Sequence, residues 1–233
     1  MCVIAIKGYG VEYPTVDRVK TMCRNNPNGF AMCYYVKGAE NIRVFRTMNK
    51  GQFIKEYEKV MQSHGKDDVG MFIHARISTH GSTKIENCHG FVDKDCGICF
   101  AHNGMLSIQN RDDMTDSETF FRDLFIPAFS LGGWVAGDKA IQAVIGYSKF
   151  VFMDATGHIR YYGNFIQDKD GCFYSNGTYQ DYGYGSNWCK ASSSWGGSSK
   201  KGNAGSVNDD DKYQYSWWDD EYDGYYDGDY YGH

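Results

Sequence analysis

Along this chain, short continuous apolar runs are interspersed with stretches in which apolar residues keep helical spacing, and the change from one to the other marks the elements. Cys2 to Ile6 is a short apolar run closed by the turn Gly8 to Gly10, and it reads as a strand. Thr15 to Asn25 reads as a helix: Pro14 precedes it, Thr15 can cap it, and Val16, Val19, Met22 and Cys23 share a face. Beyond the turn at residues 25–29, Phe30 to Val36 and Ile42 to Thr47 predict two strands joined by residues 37–41. Phe53, Ile54, Tyr57, Val60 and Met61 keep helical spacing, with Gly65 past the end, so a packing helix is expected there. Val69 to Ala75 and Gly97 to Ala101 predict strands, each running into a cluster of polar residues. Thr115 and Glu118 have capping-box spacing ahead of Phe120, Phe121, Leu124 and Phe125, which signals a helix start. Lys139 to Ile145 suggests one more helix, and Lys149 to Met153 with Ile159 to Tyr162 a hairpin around Asp154 to His158. Shorter strands are expected around Phe165-Ile166 and Cys172 to Tyr174, with Asn176-Gly177 as a turn. Strands at both ends, helices between them and no regular βαβ alternation predict a mixed α/β layered domain.

The pattern fails after about residue 190. Ser, Gly and Lys fill the stretch to Ser206, and an Asp, Tyr, Trp and Gly tract almost without aliphatic residues follows. Such a composition cannot bury enough surface to offset its ordering entropy, so residues 190–233 are expected to be a disordered tail and residues 1–189 one domain. Charge divides the same way. From Asn208 onward nine acidic residues face Lys212 alone, leaving a tail of −8 and a body of about +3. A nearly neutral body does not point to direct nucleic-acid binding. The acidic and aromatic tail can serve as a docking segment for a basic protein partner or simply as a solubilising extension.

No run approaches the roughly 18 apolar residues of a membrane span, and the N-terminus has neither a basic region nor an apolar signal core. A cytoplasmic protein is expected, with its eight cysteines as reduced thiols and no structural disulfide. Cys88, His89, Cys96 and Cys99 include a Cys-x-x-Cys that can be read as a zinc site. Cys96 and Cys99 straddle a strand start instead of forming a tight knuckle, so no metal is expected. Histidines such as His74 and His102 are more often structural hydrogen-bonders than catalysts, and they are assigned no chemistry.

The chemistry begins at Met1-Cys2. A small second residue permits loss of Met1, which would place a thiol and a free α-amine on Cys2. The thiolate is the attacking species, and an adjacent amine can take and return its proton, the logic of an N-terminal nucleophile. Three other polar clusters stand with it. His74-Ala75-Arg76-Ile77-Ser78-Thr79-His80-Gly81 ends a predicted strand, His102-Asn103-Gly104 follows another, and Asp116 opens a helix, where an acidic residue also suits the helix dipole.

Together these clusters resemble the glutamine amidase domain of class II amidotransferases, over roughly residues 1–180. The first matches the family's His-Thr-Arg-Trp-Ala-Thr-His-Gly at His74, Arg76, Thr79, His80 and Gly81. Asn87-Cys88-His89-Gly90-Phe91 resembles its Asn-x-His-Pro-Phe, and His102-Asn103-Gly104 matches outright. Asn26-Pro27-Asn28-Gly29-Phe30 resembles a family loop, with Asn28 where aspartate is common. Val3 stands where glycine is commonest, Ile77 replaces tryptophan, and Gly90 replaces proline; none of these removes a catalytic group.

The resemblance implies a four-layer αββα N-terminal nucleophile fold with mainly antiparallel sheets and no cofactor. It implies Cys2 as nucleophile and Asn103 with the Gly104 N–H as oxyanion donors. It assigns the binding of L-glutamine to Arg76, Thr79, His80 and Asp116. No synthetase, isomerase or transferase domain follows, so the form looks like the short stand-alone amidotransferase-like proteins of bacteria and their phages, with a separate ammonia-acceptor enzyme. Two alternatives remain open at this level: an inactive or regulatory binding module on the same fold, and an N-terminal nucleophile amidase acting on another amide.

Overall fold

The computed structural model describes residues 2–78, 83–111, 114–181 and, as backbone, 213–215. In chain order the elements are β1 (Val3–Lys7), α1 (Val16–Asn25), β2 (Phe30–Val36), β3 (Arg43–Thr47), α2 (Lys50–Ser63) and β4 (Val69–Ala75). Then come β5 (Phe91–Asp93), β6 (Ile98–Asn103), α3 (Asp116–Thr119), a π-helical turn (Phe120–Phe125) and α4 (Ile126–Val144). The described chain ends with β7 (Lys149–Asp154), β8 (Ile159–Tyr162), β9 (Ile166–Gln167), β10 (Phe173–Tyr174) and β11 (Tyr213–Tyr215).

The strands form two sheets, in the orders β11-β3-β2-β4-β1-β10-β9 and β5-β6-β7-β8, with every neighbouring pair antiparallel. Because successive side chains point to opposite faces of a strand, each buried strand feeds two cores. Val3 and Ala5 of β1, with Met71 and Ile73 of β4, pack under α1 and α2. Ile4, Ile6 and Phe72 point the other way and meet Cys99, Ala101, Val151 and Met153 of the second sheet. Phe100, Phe150 and Phe152 pack outward against Phe120, Phe121 and Phe125. Three cores between four layers make the αββα sandwich that the resemblance implies. The third core is centred on aromatic rings, with centroids as close as 4.4 Å between Phe125 and Phe152. Each such pair adds about 0.5–1.5 kcal/mol to what area burial supplies.

The structure refines several sequence expectations. Strand β6 continues through His102 and Asn103 instead of ending at Ala101, so both residues are held by the sheet and not by a loop. The helix expected at Lys139 to Ile145 is the C-terminal part of the longer α4, which is broken at Gly132 (φ −149°) and Gly133 (φ 57°). Glycines there conceal the helical period. Of the tract from residue 190, residues 213–215 pair with β3 as an edge strand, Tyr213 opposite Thr47; the remainder lies outside the described residues. No helix among the described residues is long and apolar enough to cross a membrane.

Candidate active site

Antiparallel pairing assembles the site. Val3 lies opposite Ala75, so the residue before β1 sits beside the residues after β4, and Cys2 Sγ reaches the Ile77 carbonyl at 3.7 Å. Arg76 is fixed by main-chain bonds on its other side: its N–H donates to Gly29 O at 2.8 Å, and its carbonyl accepts from the Asn28 N–H at 2.8 Å. Asn28 Oδ1 accepts from the Ser78 N–H at 3.0 Å. An amide oxygen therefore supplies the acceptor that aspartate would supply, which explains why asparagine is tolerated here.

The second sheet brings the oxyanion candidates. Asn103 closes β6 and Gly104 follows at φ +151°, a conformation that glycine alone adopts readily. Asp116 arrives from the start of α3, where Thr115 Oγ1 caps the Glu118 N–H at 3.2 Å as the sequence signalled. Its carboxylate is anchored by the Leu106 N–H at 2.9 Å and by its neighbour's Ser117 N–H at 2.8 Å. Cys2, Arg76, Gly104 and Asp116 all line one cavity of about 550 Å³. Arg76, 5% exposed, and Asp116 thus offer opposite charges to one small molecule. Asn103, 1% exposed, lies behind the wall with Nδ2 2.8 Å from Ser175 Oγ. Thr79 and His80 fall outside the described residues.

Burial pushes the Cys2 thiol up from its ordinary value, and the Ile77 contact, the positive amino terminus and Arg76 only partly oppose it. The thiol is therefore protonated at neutral pH and needs a base to become a nucleophile.

Behind Arg76, three histidine rings stack nearly parallel. His74 and His89 lie 4.1 Å apart at 14°, and His89 and His102 lie 6.1 Å apart at 7°. His89 Nδ1 donates to the His102 carbonyl at 2.7 Å, and His102 Nδ1 meets Ser117 Oγ at 2.7 Å. Burial lowers His89 and His102 to about 3 and holds His74 well below its ordinary value; for His74 and His89, the neighbouring imidazoles and Arg76 add to this. All three are neutral at physiological pH, in keeping with a structural role. The residues weighed as a zinc set are otherwise engaged: Cys88 Sγ faces Met48 Sδ, Cys99 Sγ faces Cys33 Sγ, and Cys96 Sγ faces Ser130 Oγ. Among the described residues no three potential ligands converge on a point.

Sequence reasoning missed Ser175 and Asn176. Asn176 Nδ2 donates to the Cys2 carbonyl at 2.5 Å, and Ser175 bonds both Ile4 and Asn103. The only local signal was Asn176-Gly177, which marks a turn whatever it touches.

The geometry can be set beside known proteins. A family model described as "Glutamine amidotransferases class-II" matches residues 1–126. No curated protein matches. Among solved structures, a glutamine phosphoribosylpyrophosphate amidotransferase from B. subtilis complexed with ADP and GMP is similar at 18% identity and TM-score 0.44, over 66% of this chain and 35% of that one. A structure described as the allosteric regulatory enzyme of purine biosynthesis is similar at 17% identity and TM-score 0.49, over 75% of this chain and 41% of that one. The chain thus matches well under half the length of either.

Proposed function

Because the chain belongs to the class-II glutamine amidotransferases, we propose that it is a glutamine amidohydrolase that releases ammonia from L-glutamine through a thioester on Cys2. The observation that carries this reading is one cavity whose walls include Cys2, Arg76 and Asp116. A free amino acid has the complementary pair of charges; an internal peptide residue has neither.

The steps balance on these groups. With Met1 removed, the Cys2 α-amine takes the thiol proton as Sγ attacks the side-chain amide carbon of glutamine. The Gly104 N–H and the Asn103 side-chain amide stabilise the oxyanion that forms, each such donor being worth about 10² to 10³ in rate. The ammonium then returns the proton to the leaving nitrogen, and ammonia departs. Water, activated by the same amine, cleaves the thioester to glutamate and restores the thiol. Arg76 forks onto the α-carboxylate and Asp116 pairs with the α-ammonium, with Thr79 and His80 assigned to the same substrate. The ammonia passes to a separate acceptor enzyme, in the cytoplasm, and the acidic-aromatic tail serves as a docking segment for a basic partner.

Intact mass, 6-diazo-5-oxo-norleucine labelling and glutamate release, on wild type and Cys2→Ala, test the reading. Loss of Met1 with Cys2-dependent labelling and turnover is expected. Retained Met1 without labelling would instead assign the fold a binding or regulatory role, and turnover of other amides in preference to glutamine would assign it to another amidase.

The substrate charges make a separable prediction. Hydrogen bonds to charged groups contribute about 1.5–3 kcal/mol each, so Arg76→Ala is expected to raise the KM for glutamine at least about 10-fold. Arg76→Lys should recover only part of this, because a lysine lacks the planar fork. Steady-state kinetics decide it, and an unchanged KM in Arg76→Ala would remove Arg76 from the binding site.

A further inference from the structure

Asn103 carries the oxyanion role above only if its Nδ2 protons are free, yet the amide as placed directs Nδ2 at Ser175 Oγ, 2.8 Å away. In that orientation two groups are left over. Asn103 Oδ1 is buried with no hydrogen-bond partner among the described residues. Ser175 Oγ already accepts the Ile4 N–H at 2.8 Å, so with Nδ2 also donating to it, the hydroxyl's own proton gains no acceptor from either contact. A half-turn of the amide about its Cβ–Cγ bond exchanges two nearly isosteric ends and gives the hydroxyl proton an acceptor, leaving the Nδ2 protons as the unpartnered group. Ser175 then accepts from Ile4 and donates to Asn103 Oδ1, while Nδ2 swings to the unpartnered side.

We propose that Ser175 is a positioning residue that fixes the amide orientation of Asn103, turning its N–H donors toward the developing oxyanion. This rests on the amidohydrolase reading and extends it to a residue outside the matched segment, which ends at residue 126. The geometry favours the assignment because the Ile4 N–H polarises the hydroxyl in one direction. Ile4 lies two residues after the nucleophile, on the edge of β1 that faces β10, and its carbonyl accepts the Ser175 N–H at 2.9 Å. A main-chain donor held in a central strand cannot turn away, so the hydroxyl accepts from it at one lone pair and keeps its own proton to donate to Asn103 Oδ1. Both side chains are almost fully enclosed, Ser175 at 2% and Asn103 at 1% exposure, so no bulk water competes for either end of the amide. The chain Ile4 N–H to Ser175 O–H to Asn103 Oδ1 thereby ties the oxyanion donor to β1, the strand that follows Cys2.

The test compares wild type, Ser175→Ala and Ser175→Thr in three readouts: kcat and KM for glutamine, inhibition by glutamate γ-semialdehyde, and thermal midpoint. The aldehyde adds to Cys2 as a hemithioacetal whose oxyanion occupies the same hole. Ser175→Ala is expected to lose about 10- to 100-fold in kcat and the same factor in aldehyde affinity, with KM unchanged, because only the charged oxygen senses the donor. Ser175→Thr, which keeps the hydroxyl, should restore both. A Ser175→Ala enzyme within about twofold of wild type in both quantities would overturn the proposal, as would losses that Ser175→Thr fails to recover. A wild type that turns over no glutamine would count against the amidohydrolase reading instead. Amide orientation is then read directly: a nuclear Overhauser contact between the Ile4 N–H and the Asn103 side-chain N–H₂ places Nδ2 at Ser175 and overturns the proposal, and its absence with both resonances assigned supports it.

Discussion

Replacing Gly104 by alanine is expected to reduce glutamate release by at least about 10²-fold and to lower the thermal midpoint as well. Two independent causes converge there. The backbone stands at φ +151°, and a Cβ would come 2.2 Å from Ser148 Oγ, 2.8 Å from its Cβ and 2.9 Å from its Cα. A hydroxyl can rotate away, but the Cα belongs to the main chain leading into β7, so the 104–105 segment itself must move. That movement displaces the Gly104 N–H from the oxyanion, and one misplaced donor costs about 10² to 10³ in rate. Gly38→Ala is the matching control: Gly38 has φ +82°, nothing within 4 Å and no place in the site. It carries only the backbone penalty, about 1–2 kcal/mol. Full kcat in Gly104→Ala, with Met1 removed and the fold intact, would take Gly104 out of the oxyanion hole.

Mild acid is expected to destabilise the protein steeply. His89 and His102 sit at about 3 in the fold, and His74 is also held low, whereas an unfolded histidine titrates near pH 6.5. Between those values the unfolded chain binds protons that the native one refuses, so stability is complete above about pH 6.5 and falls as the pH drops toward about 3. Each histidine contributes a slope of about 1.4 kcal/mol per pH unit. By pH 5 His89 and His102 together cost about 4 kcal/mol, close to the lower end of the whole stability of an ordinary domain, about 5–15 kcal/mol, and His74 adds in the same direction. Urea midpoints at pH 7 and pH 5 measure this. His74→Phe keeps an aromatic ring in the stack and removes one titrating group, so it should flatten the slope. A midpoint that does not change between the two pH values would show that the rings are not held neutral.

The elements themselves were largely legible in the sequence. The continuous apolar runs of Val3 to Ile6 and Val69 to Ala75, and the helical period of Phe53 to Met61, are local properties, and burial in the fold follows them. The Thr115 cap was readable because its hydrogen bond spans three residues. What failed to read also has a local reason: Gly132 and Gly133 interrupt α4, and Ile98 to Asn103 changes from apolar to polar before the strand ends. Asn103 looks like a loop residue in sequence because it is polar, although it is 1% exposed and closes the strand.

Sequence by itself determined the chemical inventory: a thiol at position 2, an arginine after one strand, Asn-Gly at the end of another, and a carboxylate at a capped helix start. It also determined which strands are central, since β1, β4 and β6 read as short, mostly apolar runs and are buried on both faces. Tertiary structure alone decided the arrangement. Register between β1 and β4 set Cys2 beside Ile77, and the stacking of two sheets brought Gly104 and Asp116 to the same cavity. It also recruited Ser175 and Asn176, whose turn-like sequence says nothing of Ile4, Asn103 or Cys2. Hydrogen bonds between residues distant in the chain leave no periodic trace, so packing had to place those partners before their roles became visible.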